Sequence, residues 1–282
     1  MSHKILSILI FSSVAVFAQR TTADQVKDLE AESLRLIQSE QYAEALQPLN
    51  KMITASGLKS HEDYKALYRR AICYFYLEQF QLALNDLNLF IPEFNSIPQP
   101  YIMRALIYRS LNENRKQIND LNIALLLPSQ EDLSKLYRWR AAALMSLSSY
   151  DSAAQDVRKS MATEGDAEGY SYLAFIQYNQ GKYDSALISV NKSIEMDFTY
   201  LPGYLYATSF CLQKSDYSQA LVYANLGLMV DDQSPDLLFY KGVALIETNK
   251  IDAACSFLNR AFYLGNDDAG DYLSQYCYPT ED

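Results

Sequence analysis

Residues 170–197 read YSYLAFIQYNQGKYDSALISVNKSIEMD, and this stretch decides the fold. It holds two amphipathic segments joined by a short polar turn, Gln180-Gly181-Lys182. After the turn, Leu187, Val190 and Ile194 recur at spacings of three and four, which puts them on one face of a helix. Ala174 lies in the first segment and Ala186 in the second. Residues this small let two antiparallel helices approach closely. Tyr183, just after the turn, is large enough to fill space beside the pair. One helical pair cannot bury its whole apolar face, so the stretch predicts further copies stacked on it.

Those copies are present. A small or apolar residue, an aromatic nine later and a small residue three further on recur as Ser33/Tyr42/Ala45, Ala71/Phe80/Ala83, Ala105/Asn114/Gln117, Ala141/Tyr150/Ala153, Ala174/Tyr183/Ala186, Thr208/Tyr217/Ala220 and Gly242/Ile251/Ala254. The third members are spaced 38, 34, 36, 33, 34 and 34 residues apart. A second clear copy, YATSFCLQKSDYSQALVYANLGLMVDD, occupies residues 206–232. Polar turns recur at Lys214-Ser215-Asp216 and Thr248-Asn249-Lys250.

The pattern resembles the tetratricopeptide repeat, a 34-residue helix–turn–helix unit. The resemblance covers about residues 26–266. The third copy departs from it, with Asn114 and Gln117 replacing the aromatic and the Ala. The Pro that usually closes the unit is missing, though Pro98, Pro202 and Pro235 sit near repeat starts. The resemblance implies an all-α, right-handed α-solenoid of about seven helix–turn–helix units. They fall near 26–59, 64–97, 98–131, 134–166, 167–200, 201–234 and 235–266, followed by a capping helix over 267–278. The mature chain, 19–282, is expected to be one such solenoid. The longest insertion, residues 55–63, marks its natural joint.

The first eighteen residues, MSHKILSILIFSSVAVFA, read as a cleaved secretory signal: Lys4, an apolar run from Ile5 to Phe17, and small residues ending at Ala18. The run is shorter than the roughly 20 residues that span a bilayer. No Cys follows, so no lipoprotein anchor is expected. Export to the periplasm or exterior of a bacterial-type cell follows, with no stable membrane insertion of the mature chain. Cleavage leaves 23 cations against 34 anions, a net charge of −11. That balance argues against a nucleic-acid partner, since phosphate binding needs clustered Lys and Arg.

When each repeat is numbered with its aromatic at position 17, position 7 is Arg in repeats two to four (Arg70, Arg104, Arg140). Position 23 is Asp in the same three (Asp86, Asp120, Asp156). The covariation predicts pairing between the two helices, within a repeat or across adjacent ones, because guanidinium and carboxylate match as a two-bond fork. Repeat seven breaks the rule, with Lys241 against Phe257.

Tetratricopeptide proteins hold ligands on the concave face lined by first helices. By that resemblance, positions 2, 5, 9, 12 and 13 face the groove. The residues singled out are Lys65, Tyr68, Tyr76, Arg109, Lys135, Arg138, Phe175 and Tyr178. This central lining is basic and aromatic and suits an extended acidic or aromatic peptide. The lysine- and asparagine-based carboxylate clamp of chaperone-binding members is not expected, since Ile72 and Met103 occupy its positions.

Catalytic and metal chemistry find little material. The only histidines are His3 and His61, no CxxC pair occurs among Cys73, Cys211, Cys255 and Cys277, and no phosphate-loop, zincin or nucleophile-elbow motif is present. No cofactor, metal site or enzymatic activity is expected. Asp151 and Asp184, where second helices start, read as helix N-caps. Cys73 and Cys211 lie four repeats apart and read as buried free thiols. Cys255 and Cys277 can be either a staple holding the cap helix or two packed thiols, the second being the default. The expected role is a protein- or peptide-binding scaffold. Self-association into a structural component is the alternative.

Overall fold

A computed structural model describes residues 25–58, 61–128, 133–161 and 165–278. The leader, residues 1–18, lies outside them. Among the described residues the chain is helical and has no strand. It divides into two compact units, residues 1–131 and 132–282. The division falls after the third repeat, whereas the 55–63 insertion lies inside the first unit.

The N-terminal unit contains α1 (25–38), α2 (Tyr42–Ser56), α3 (His61–Tyr76), α4 (Phe80–Phe90), α5 (Gln99–Ser110) and α6 (Asn114–Leu126). The C-terminal unit contains α7 (Leu133–Ser146), α8 (Tyr150–Ser160), α9 (Ala167–Asn179), α10 (Tyr183–Met196), α11 (Leu201–Gln213), α12 (Tyr217–Val230), α13 (Pro235–Glu247), α14 (Ile251–Tyr263) and α15 (Asp268–Tyr272). The cap is therefore shorter as an α-helix than expected. Its last turn, Leu273–Cys277, widens into a π-helix.

Within each unit the helices pack in chain order, first helix on second helix and second helix on the next first helix. The small residues sit at the crossings. Ala45, Ala71, Ala83, Ala141, Ala153, Ala174, Ala186, Ala220 and Ala254 are fully buried. Ser33 and Thr208 replace Ala there without leaving a hydroxyl unsatisfied. Ser33 donates to the carbonyl of Glu30 at 2.8 Å, and Thr208 to that of Tyr204 at 2.7 Å. Leu49, Leu87, Leu121 and Val157 fill the core beside the crossings. Each such side chain contributes roughly 2 kcal/mol by leaving water.

One turn geometry is repeated seven times. Glu40, Glu78, Asn112, Ser148, Gly181, Ser215 and Asn249 all have φ between 56° and 76°, the left-handed region. Each lies two residues before position 17. Only Gly181 adopts this conformation without a Cβ penalty. The helix starts are served differently from the expectation. Asp151 and Asp184 lie in first turns, where a carboxylate favours the helix dipole. They do not cap their helices. Asp151 accepts from Gln180 Nε2 at 2.8 Å, and Asp184 lies 3.7 Å from Lys214, so each ties one repeat to the next. Among the described residues, side-chain caps come from Asp166, on the Gly169 amide, and Asp216, on the Gln219 amide.

The Arg–Asp pairs form within repeats. Arg70–Asp86, Arg104–Asp120 and Arg140–Asp156 each make two hydrogen bonds of 2.7–2.8 Å. The three carboxylates are 3% exposed. A third guanidinium bond reaches back to the preceding repeat, from Arg70 to Asn50 and from Arg104 to Asn88, both at 2.7 Å. Asn recurs at this position, 25, in six of the seven repeats. Repeat six keeps the link with other chemistry: Tyr223 donates to Asn191 at 2.7 Å. In repeat seven the Lys241 ammonium lies 3.9 Å from the Phe257 ring centre, a cation–π contact in place of the ion pair. Burial, and then Arg260, lowers the pKa of Lys241.

Cys255 and Cys277 are joined by a disulfide, so the free-thiol default is overturned there. The cap packs against α14 through Ala269 and Leu273, which brings the two sulfurs together. Cys73 and Cys211 are free and buried, as expected.

Candidate functional site

First helices α9, α11 and α13 share one cavity of about 400 Å³ in the C-terminal unit. Its wall is aromatic. Tyr178 stacks on Phe210 with ring centres 4.2 Å apart, Tyr206 lies 5.9 Å from Phe210, and Phe175 lies 5.5 Å from Tyr206. The Tyr178 hydroxyl donates to the Gln213 side chain, which fixes its ring across the gap between α9 and α11. Burial raises the phenol pKa of Tyr206, as it does that of Tyr240 on α13, so both rings are neutral hydrogen-bonding groups at physiological pH. A second cavity, about 280 Å³, lies between α7, α9 and α11, on the other side of Phe175 and Tyr206.

Of the eight residues singled out from the sequence, the structure brings Phe175 and Tyr178 together on the wall of the larger cavity. The others are placed elsewhere. Arg138 is spent inside the chain. Its guanidinium bonds Asp166 at 2.6 Å and Glu168 at 2.7 Å, across the α7–α9 boundary. Lys135 is exposed at the start of α7. In the N-terminal unit Tyr68 stacks on Phe90, 5.1 Å between centres, as packing within a repeat. Tyr76 is 57% exposed and stacks on Tyr42 at 4.4 Å. Lys65 is half-buried on α3, and Arg109 is exposed near the end of α5. The larger cavity is therefore not basic: no Lys or Arg lines it, and its one charged lining residue is Asp236.

The sequence reading missed Leu205, Tyr206, Ser209 and Phe210 on α11, and Asp236 and Tyr240 on α13. A signal was available for some of them. Leu205, Ser209 and Asp236 hold positions 5, 9 and 2 of repeats six and seven, the same register used for earlier repeats. Tyr206, Tyr240 and Phe210 hold positions 6 and 10. The cavity reaches those positions as well as the groove register.

Among the described residues no cluster of His, Cys, Asp and Glu could hold a metal ion, and no helix is long and apolar enough to cross a membrane.

No protein-family model and no curated protein sequence matches the chain. Solved structures do. The chain is similar to a tetratricopeptide repeat protein from Parabacteroides merdae, with a TM-score of 0.73 at 16% identity over 90% of this chain and 98% of that one. It is similar to the C-terminal part of a repeat-containing protein from Cytophaga hutchinsonii, with a TM-score of 0.63 at 20% identity over 86% and 98%. It also resembles PilW, a type IV pilus biogenesis factor, with a TM-score of 0.63 at 14% identity over 74% and 98%. At these identities the likeness is one of fold, and with the seven-fold period and turn geometry it shows that the chain has the tetratricopeptide repeat fold.

Proposed function

We propose that the chain is a non-catalytic scaffold, exported to the cell envelope, that binds another protein through an extended peptide segment laid across α9, α11 and α13. The observation that carries this reading is the cavity those helices share, lined by Phe175, Tyr178, Tyr206 and Tyr240. Such concave sites, mostly apolar with a few polar groups, are where proteins bury ligands. Export is supported by the leader-like residues 1–18 and by the Cys255–Cys277 bridge, since disulfides persist in oxidising compartments. The fold likeness to a pilus biogenesis factor is in keeping with an envelope role.

A photo-cross-linking residue placed at Leu205, inside the groove, and separately at Ile188, on the outer face of α10, tests the reading in the cell that makes the protein. Cross-links to a second protein from position 205 alone, in the envelope fraction and on a chain beginning at Gln19, are expected. Cross-links from 188 alone, or an unprocessed chain in the cytosol, would refute it.

A second reading, self-association into a structural component, is favoured by one observation. Ile188, Met229 and Tyr263 on second helices α10, α12 and α14 are 71%, 82% and 90% exposed. Apolar side chains this open mark interaction surfaces when they are contiguous. Sedimentation equilibrium of the mature chain and of Met229→Lys decides it: a mass rising with concentration only in the unaltered chain supports self-association.

A further inference from the structure

We infer that the cavity over α9, α11 and α13 recognises a cationic side chain, a lysine or arginine within an extended peptide. The inference rests on the groove reading above and names its ligand chemistry, opposite in charge to the one the sequence suggested.

The chemistry of the wall carries the inference. Tyr206 and Tyr240 come from adjacent first helices and line the same cavity. Ser209 on α11 lines the cavity beside them. Asp236 sits one helical turn before Tyr240 on α13 and lines the same cavity. Its Oδ1 accepts from Asn266 at 2.9 Å, which orients the carboxylate without neutralising it. An aromatic ring offers a cation the negative part of its quadrupole, so a space lined by tyrosines and a carboxylate attracts a cation and repels an anion. Lys and Arg are absent from the lining, so nothing inside the cavity competes for Asp236. Arg138, on α7, is matched by Asp166 and Glu168.

The wider field points the same way. The mature chain carries eleven more anions than cations. Long-range attraction of a basic segment would therefore reinforce the local preference. Phe175 and Tyr206 also line the neighbouring cavity, with Ala142, Met145 and Tyr172. A ligand that places its cation beside Asp236 can set an apolar side chain there. The recognised segment is thus a basic residue close to an apolar one.

A peptide library displayed on phage and selected on the mature chain tests this, with Asp236→Asn and Tyr206→Leu as counter-selections whose folding is checked by circular dichroism. Lys or Arg beside an apolar residue is expected to dominate. A synthetic peptide of that sequence should bind Asp236→Asn about fivefold more weakly, the scale of one partly exposed ion pair. The same peptide should bind more weakly as salt rises, because screening acts on that pair. Selected peptides that are acidic or indifferent to charge, yet lost on Tyr206→Leu, would overturn the cation assignment and leave the groove reading standing. Peptides that survive both substitutions, or no enrichment at all, would overturn both.

Discussion

Arg104 and Asp120 lie sixteen residues apart on α5 and α6 and meet through two hydrogen bonds, from Nε to Oδ2 at 2.8 Å and from Nη2 to Oδ1 at 2.7 Å. The remaining guanidinium nitrogen bonds Asn88 on α4. One side chain thus links both helices of its own repeat and the second helix of the repeat before. The hydrogen bonds to Asp120 raise the pKa of Arg104 against the opposing effect of burial.

Asp120→Ala removes a buried anion and leaves the guanidinium facing a void. The expected loss is about 3 kcal/mol. Asp151→Ala, at an exposed carboxylate that accepts one bond from Gln180, should change stability by within about 0.5 kcal/mol. Thermal melts of the two variants check the contrast, and equal small shifts would remove the pair from the stability account.

The Cys255–Cys277 bridge closes a segment of 22 residues. On the chain-entropy account such a closure stabilises by roughly 3 kcal/mol. Reductant, or Cys277→Ser, should therefore lower the melting temperature and free the cap from α14. Hydrogen exchange at 268–277 reads the second effect directly. An unchanged melt in reductant would show that packing by Ala269 and Leu273 is sufficient.

Thiol counting separates the two cysteine classes. Burial pushes the Cys73 and Cys211 thiols up to about 11. At pH 8 the native chain should resist alkylation, because the thiolate is the nucleophile and is scarce at both sites. After denaturation without reductant, two thiols should titrate. A count of four would mean that the bridge does not form.

Alkaline pH should weaken the C-terminal unit. Burial first, and then the charge of Glu168, pushes the Tyr200 phenol up to about 12 from an ordinary value of 10.0. Below pH 10 this tyrosine is protonated in both states and its contribution is intact. Between 10 and 12 the unfolded chain releases the proton first, so stability falls as pH rises. Denaturant midpoints at pH 9 and 11 should differ less for Tyr200→Phe than for the unaltered chain.

Glu78 holds a left-handed turn, with φ 58°, at the place where repeat five has Gly181. Glu78→Gly relieves the Cβ penalty and adds unfolded-chain entropy, two effects of opposite sign near 1 kcal/mol each. A change within about 0.5 kcal/mol is expected, whereas Glu78→Val, branched at Cβ, should cost more than 1 kcal/mol. Denaturant unfolding of the pair measures the cost of the turn.

Much of the fold was legible because its determinants are local and periodic. The Ala crossings, the polar turns and the Arg–Asp pairs sit at fixed separations within one repeat, so one alignment exposes all of them. The site was less legible. Arg138 carries the same charge as Arg70 in the sequence, yet its partners are Asp166, the last residue of its repeat, and Glu168, on the first helix of the next. Tyr68 and Tyr178 are both aromatic residues on first helices, but one stacks on Phe90 within its repeat and the other on Phe210 of the next.

The sequence by itself determined the repeat, its number of copies, the turn positions and that position-7 Arg pairs with position-23 Asp, but not that the pairs fall within a repeat. A helix of 3.6 residues per turn converts spacing directly into a face and leaves open which neighbour that face meets. Only the tertiary structure decided that Asn50 and Asn88 receive the third arginine bond, that Cys255 meets Cys277, and that Tyr206, Tyr240 and Asp236 enclose one cavity. These relationships join residues of different repeats or of the cap. Their distances depend on the rotation and tilt from one helical pair to the next, which many small packing contacts set together and which no single residue spacing records.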